Sequence, residues 1–418
     1  MSVTRVTERL SDSAAQVLNL LISGDHLSRP DLSARLKVTA PTITTALREL
    51  AQGGFVIQTG SRQGRLGRSA AMYGLDARSG WLLGIDIGST QVLIVARSLN
   101  GTLLSDFRYS VLETDRAGGE VPLSLTEVAC QRIAVHLAKF TSSHGRLRAV
   151  GIAVAHVVPH SPSIDSMIGL GGDAVRLGDI LDDLGLPEGV PVLLENNVNC
   201  AALAEMTLGV AQSAENFVYL QVGVRVGAGL VVDGKLRRGE HGGSGELSTL
   251  PFPMVSASES EEQSFLLEEH LGSEHLLERA RNAWPISAGP PPNTTKELID
   301  MAHDGNEPSL EVVRHHAFDV ARLAMLVIAL IDPGLIVLGG GVGQNPILAQ
   351  IVEKLIQEQY PHVRLDVSAL GGRATVEGAA VLAIEDGRSA LLGDHYMSRL
   401  GDQSMAIVHV DGSRTTAT

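Results

Sequence analysis

The sequence predicts an α/β protein in two parts, a small winged helix-turn-helix followed by a larger body of two α/β lobes. Three observations carry this. Residues 1–78 hold ten Lys/Arg and six Asp/Glu, a net +4, and the remainder holds 23 and 41, a net −18. That first stretch shows helical periodicity and then a short hairpin with arginines and glycines at its tip. Past residue 80, long apolar strands broken by glycine turns alternate with helices, and a strand, glycine turn, strand opening occurs twice, at Trp81 and near Phe217.

Of 418 residues, 44% are hydrophobic and 19% charged, a globular balance with length enough for two or three domains. No uncharged apolar run reaches about 18 residues, and Met1 to Asp12 lacks the apolar core of a signal peptide, so a cytoplasmic chain with no membrane partner is expected. Cys130 and Cys200 are the only cysteines. Each sits in helix-like sequence, which argues against a disulfide scaffold or a cysteine-rich zinc site and suits buried thiols.

The expected N-terminal module spans 1–75. Ser13 to Ser23 puts Val17, Leu18, Leu21 and Ile22 on one face, and Gly24 ends the helix. Arg29 to Leu36 follows, with Pro30 suited to a first turn. In VTAPTITTALRELAQGG, Thr39 can cap a third helix whose buried stripe is Ile43, Leu47 and Leu50 at i, i+4, i+7. Thr42, Thr44, Thr45 and Arg48 are left on the other face. Short hydroxyls and one arginine, on a helix after a tight turn, suit a recognition helix in the major groove; the plain alternative is a solvated face.

FVIQTG then reads as a strand, and SRQGRLGRSAAMYGL places Arg62, Arg65 and Arg68 among glycines before a second strand. A hairpin with such a tip is a wing, able to clamp phosphates or enter a minor groove. The charge split therefore points to DNA as a partner of the module, and against nonspecific DNA contact by the acidic body.

Residues 76–80 read as a linker and 81–397 as the body. WLLGIDIGST, QVLIVARSLNG and TLLSDFRYSVL make three consecutive strands with turns at Gly88 and Asn100-Gly101. A helix over Leu125 to Phe140 and a strand over Ala149 to Val154 complete one half. The second half begins with FVYLQVGVRVGAGLVVDGKLRRG and later carries the strand GLIVLGGGV and a closing helix after Gly372. Two lobes that each open with a glycine-turned hairpin are the layout of an actin-like, sugar-kinase type of fold. The polar tail, 398–418, has no helical period and is expected to lack order.

One corner of that layout bears on chemistry. In LLENNVNCAALAEMTLG an apolar strand runs into Glu195-Asn196-Asn197 and a helix rich in small residues follows. A hydroxyl that attacks phosphate needs a base within hydrogen-bond reach, and a carboxylate at such a turn would serve. Asn197 cannot accept a proton.

IDIGST (Ile85 to Thr90), ENNVNCAALAE (Glu195 to Glu205), GVRVGAGLVVDGKLRRGEHGGSGE (Gly223 to Glu246) and IDPGLIVLGGGV (Ile331 to Val342) together resemble the ordered motif set of the ROK family (repressors, open reading frames, kinases). With the winged helix in front, the resemblance is to its regulator branch, related to the xylose and N-acetylglucosamine repressors. It covers about Ser13 to Asp386.

The departures from the family pattern shape the functional expectation. In the family's kinases the turn reads Asn-Asp, the Asp being the base; here Asn196 matches and Asn197 replaces the base. The second phosphate loop, Gly-Thr-Gly in those kinases, is Gly223-Val224-Arg225. Val224 removes the hydroxyl, and Arg225 is read as filling an abandoned nucleotide site, although arginine can also grip phosphate. ROK proteins commonly hold a structural zinc with a His three residues after the sugar-loop Glu and cysteines about a dozen residues later, a set of roughly four soft or imidazole ligands. Here Glu246 is followed at that spacing by Thr249, and Pro251 to Glu269 contains no cysteine. The resemblance thus implies no metal, no cofactor and no catalytic residue.

A ligand pocket is what the resemblance leaves. Glu246, in the GGSGE loop, matches the family Glu that binds adjacent sugar hydroxyls, and Glu268 falls at the spacing of a second. With Asn196, Asn197 and Thr249 they form the candidate set, since carboxylates and amides can each make more than one hydrogen bond to a polyol. The bland alternatives are a loop carboxylate bonded to backbone amides for Glu246 and a solvated helix face for Glu268. The Pro-Gly turn of the family is altered to AVAHVVPHS. The expected function is an operator-binding transcriptional repressor, a homodimer or homotetramer, whose catalytically dead kinase-type domain senses a sugar or sugar derivative. An active sugar kinase and an effector-independent DNA-binding regulator are the alternatives.

Overall fold

The structure of the protein is a computed structural model. It describes residues 10–63, 69–88, 91–110, 124–159, 162–170, 173–252, 265–396 and 406–409. The chain divides into two compact units, Met1–Asn196 with Ala379–Thr418 and Asn197–Gly378.

The first unit opens with helices α1 (Asp12–Ile22), α2 (Arg29–Leu36) and α3 (Ala40–Gln52) and a three-stranded sheet of β1 (Leu27–Ser28), β2 (Val56–Gln63) and β3 (Ser69–Leu75), with β3 in the middle. The Ser11 hydroxyl caps α1 by accepting from Ala14 N at 3.3 Å, and the stripe of Val17, Leu18, Leu21 and Ile22 is buried. α2 begins in a capping box between Ser28 and Asp31, with Pro30 in the first turn. α3 buries Ile43, Ala46, Leu47 and Leu50. Each large aliphatic so withdrawn from water contributes about 1.5–3 kcal/mol before chain entropy is counted.

Two details differ from expectation. Thr39 holds the N-cap position of α3, but its hydroxyl lies 2.8 Å from that of Thr42 and makes no cap bond. β1 is only Leu27 and Ser28, paired with Tyr73 and Met72, too short to show a period in sequence. After β3, the Asp76 carboxylate caps a 3-10 turn (Ala77–Ser79) by accepting from Arg78 N at 2.8 Å, and Asp76 and Ser79 are both buried. An ordered turn thus occupies the residues read as a linker.

β4 (Trp81–Ile87), β5 (Gln91–Ser98) and β6 (Leu103–Ser110) form the expected meander. Helix α4 (Leu125–His144) follows and packs Phe140 against Trp81, ring centroids 5.4 Å apart. β7 (Leu147–Val154) runs parallel to β4. A hairpin of β8 (Met167–Leu170) and β9 (Asp173–Arg176), then helix α5 (Leu177–Asp183), lead to β10 (Pro191–Asn196), parallel to β7. The helix Ala374–Leu392 covers this sheet so closely that a Cβ on Gly151 would fall 2.0 Å from Ala379 O.

The tail corrects one expectation. Ala406–His409 is a strand, antiparallel to β10, that makes the sheet six-stranded. Pairing onto an edge uses backbone groups and needs no helical period in the sequence.

The second unit opens with helix α6 (Asn197–Thr207), and its sheet is built from β11 (Phe217–Val222), β12 (Val226–Val232), β13 (Lys235–Arg237), β16 (Leu335–Gly339) and β17 (Arg364–Val367), in the order β13-β12-β11-β16-β17. A separate ladder pairs β14 (Pro251–Phe252) with β15 (Phe265–Leu266). The remaining helices are α7 (Leu267–Leu271), α8 (Ser273–Asn282), α9 (Thr295–His303), α10 (Glu307–Ile331), α11 (Gly340–Gly343), α12 (Pro346–Gln359) and the first residues of α13 (Ala374–Leu392). α10 buries Val313, Ala317, Val320, Ala324 and Ile328, starts on the Asn306 side chain and ends at Asp332, which adopts the left-handed conformation at φ 51°.

Candidate functional site

Helix α3, the candidate recognition helix, follows α2 after a short turn, the geometry of a helix-turn-helix. Of its candidate contacts, Thr39, Thr45 and Arg48 are exposed, and Thr42 and Thr44 are half-buried. Thr44 Oγ1 donates to Ala40 O at 2.9 Å, and Thr42 pairs with Thr39, so Thr45 and Arg48 are the side chains of this face left pointing away from such local bonds. On the wing, Arg62 Nη2 lies 3.2 Å from Asp31 Oδ1. Hydrogen bonds from Ser28, with Arg62 nearby, hold the Asp31 carboxyl below its ordinary range. Arg65 and Arg68 lie outside the described residues. Sequence reasoning missed Arg29, whose guanidinium stands 5.2 Å from the Tyr73 ring centroid at the base of the wing.

At the end of β10, Glu195 and Asn196 are buried. Asn196 N donates to Glu195 Oε1 at 2.9 Å, and Asn196 Nδ2 to His156 O at 3.4 Å, so the backbone of the altered AVAHVVPHS turn holds this amide. The first unit holds another group that the motifs do not single out. Asp86 stands near the end of β4, where Gly88 N donates to Gln91 O at 2.9 Å to close the hairpin. Surrounding apolar strands push its carboxyl up to about 7. The available signal was a single acidic residue inside the apolar run WLLGIDI.

The second unit holds Asn197, Glu246, Thr249 and Glu268. Asn197 is half-buried and begins α6. The sugar-loop candidate Glu246 is also half-buried, and its loop is anchored by Ala228 N donating to Gly245 O at 2.9 Å. Gly245 adopts φ +84°, and a Cβ there would fall 1.8 Å from Ala228 O, so only glycine fits. A Cβ on Gly227 would meet Val198 Cγ2 at 3.2 Å and Gly245 O at 3.8 Å. The first turn of α6 and the Glu246 loop therefore meet on β12, which brings Asn197 and Glu246 to one end of this unit. Glu268 N donates to Ser248 O at 3.2 Å and Leu267 N to Leu250 O at 2.7 Å, locking half-buried Glu268 beside the exposed Thr249.

The Gly223-Val224-Arg225 turn is tied to the α7–α8 junction by Ser273 N donating to Gly223 O at 2.8 Å. Arg225 is exposed, as is Val224 at 62%. Among the described residues no cluster of three or more His, Cys, Asp or Glu is placed to hold a metal ion. Within Pro251 to Glu269, residues 253–264 lie outside the described residues. No helix among the described residues is long and apolar enough to cross a membrane.

Comparison with known proteins matches residues 82–386 to the ROK family. The xylose repressor of Bacillus spizizenii is 21% identical, over 88% of this chain and 94% of its own. A crystal structure described as a ROK family transcriptional regulator, homologous to the Escherichia coli MLC protein, superposes with a TM-score of 0.67 at 24% identity, covering 91% of this chain and 97% of that one. A ROK family glucokinase from Streptomyces griseus, in complex with glucose and AMPPNP, superposes at 0.56 with 24% identity, covering 73% of this chain and 99% of that one. The structural likenesses establish the fold: an actin-like, sugar-kinase type of body with a helical module and hairpin ahead of it.

Proposed function

This chain belongs to the ROK family, and from that premise we propose that it is a DNA-binding transcriptional repressor whose kinase-type body senses a sugar or related small molecule without phosphorylating it. The observation that carries the reading is a pairing of features. A basic module presents the exposed Arg48 on a helix after a tight turn, and the body that follows it has Asn197 at the strand-to-helix turn that, by the motif resemblance, corresponds to the base of the family's kinases. An amide cannot take a proton from an attacking hydroxyl, but it can bind that hydroxyl by donating and accepting. Val224 adds to this, because it supplies no hydroxyl to a phosphate. The xylose repressor supports the same reading over most of the chain, module included, whereas the glucokinase match leaves about a quarter of the chain uncovered.

In this reading Asn196, Asn197, Glu246, Thr249 and Glu268 are the ligand residues, and Thr39, Thr42, Thr44, Thr45, Arg48, Arg62, Arg65 and Arg68 face DNA. Winged-helix regulators read paired half-sites, so the protein acts in the cytoplasm as a homodimer or homotetramer. The ligand acts through its differential affinity for two states of the protein. The test has two arms: selection of a binding site from random-sequence DNA, and ATP consumption over a panel of sugars and sugar phosphates. A palindromic selected site with no sugar-dependent ATP consumption is expected. Sustained turnover with any sugar would make the protein a kinase.

A further inference from the structure

The first unit joins its N-terminal module to its sheet by more than the chain. Trp81 pairs with Leu147 and Leu82 with Ala149, so Arg148 is the extra residue of a bulge between β4 and β7. A bulge re-aims its extra side chain out of the strand's alternation. The Arg148 guanidinium lies over the Phe55 ring, 4.8 Å from its centroid, and Nε donates to Ser79 O at 2.5 Å. The room comes from Gly80, where φ is +123° and a Cβ would sit 2.3 Å from Arg148 Nε.

Phe55 is a telling partner for this arginine. It is 1% exposed, its N donates to Leu50 O at 2.8 Å at the end of α3, and its O accepts from Asp76 N at 2.8 Å. It therefore joins the end of the reading helix, the start of the wing and the exit from the module. A second contact is made elsewhere on the module: Asn19 Nδ2 on α1 donates to His395 O at 3.0 Å, in the turn that follows α13. α13 backs the Arg148 contact, since a Cβ on Gly387 would fall 2.7 Å from Leu82 Cδ2 and 3.8 Å from Arg148 Cβ.

We infer that Arg148 and Asn19 are positioning residues that fix the orientation of the reading helix on the first lobe. The module then does not swing on residues 76–80, and the half-site spacing that a dimer accepts is set by this clamp. The inference rests on the proposed DNA-binding function. Neither residue is among the candidate DNA contacts, so their loss changes geometry and leaves phosphate contact alone.

The test uses the full chain and a palindromic site selected from random-sequence DNA. Wild type, Arg148→Ala, Asn19→Ala and the double variant are titrated against that site and against versions with base pairs inserted between the half-sites. Wild type should lose about tenfold or more on a two-base-pair insertion, because the second head no longer reaches its groove face. The double variant should bind the native spacing more weakly, tolerate the insertion with a loss of about threefold or less, and keep the wild-type salt dependence. Arg148→Lys, which keeps the charge but not the flat guanidinium, should relax spacing in the same direction if the alanine fails to fold. Folded variants with wild-type spacing discrimination would overturn the clamp. Hydrogen exchange read without DNA decides it separately from the DNA-binding reading: the amides of Asp76, Ser79 and Trp81 should exchange faster in Arg148→Ala, and unchanged protection would also overturn it.

Discussion

Arg62 and Asp31 form an ion pair across the base of the wing, Nη2 to Oδ1 at 3.2 Å, so a cation proposed for phosphate already has a carboxylate. Exposed pairs of this kind contribute only about 0–1 kcal/mol, which leaves Arg62 able to exchange Asp31 for phosphate. Asp31→Asn should raise DNA affinity and steepen its salt dependence by about one unit of slope, since one anion is removed and one arginine released. Asparagine keeps the acceptor that Ser28 N uses at 3.0 Å, so α2 should stay capped. Titrations at several salt concentrations check this; an unchanged slope would place Arg62 away from the phosphates.

Arg48 should behave differently. It is exposed on α3, where a base edge is the natural partner. Arg48→Ala should cost about 1–3 kcal/mol on the selected site and relax base preference at one position, with weaker effect on nonspecific DNA. A uniform loss over all sequences would assign Arg48 to the backbone instead.

Asp86 predicts a pH effect on stability. Its folded value of about 7 exceeds the ordinary 3.8, so between these values the folded protein holds a proton that the unfolded chain has released. Stability therefore falls as pH rises through that window and the loss is complete above it. Asp86→Asn should melt close to wild type near pH 4 and above it at pH 8, as calorimetry at both ends would register. A constant difference across pH would contradict the shift.

In the proposed ligand site, Asn197→Ala and Glu246→Ala should each weaken an effector found by thermal shift against sugars. The cost of removing one partner from a desolvated site is about 1–3 kcal/mol, or roughly ten- to hundredfold in affinity. Both variants should still bind the selected DNA site, because neither residue belongs to the module. An unchanged midpoint in both would move the sensing site elsewhere.

Glu205 tests how α6, which begins at Asn197, is held. It is fully buried and accepts from Ser368 Oγ at 2.5 Å, Leu370 N at 3.2 Å and Val210 N at 2.9 Å. Glu205→Ala strands the buried Ser368 hydroxyl and two part-buried backbone donors and should destabilise the protein by about 2–3 kcal/mol, measured by denaturant unfolding.

Much of the fold was legible in the sequence because its causes are local. The stripe Ile43, Leu47, Leu50 repeats with the helical period, the runs at Trp81 and Phe217 are apolar and glycine-broken, and both produce the elements expected of them. The amide at Asn197, on which the proposed loss of the kinase base rests, is likewise a property of one position, readable without coordinates. What only the tertiary structure decided is which partner each polar group finds. Arg62 meets Asp31, Arg148 reaches Ser79 and Phe55, and Ala406–His409 pairs with β10. Period and propensity act over a few residues, whereas these contacts join positions tens to hundreds of residues apart, and chain packing alone brings such groups within hydrogen-bonding distance.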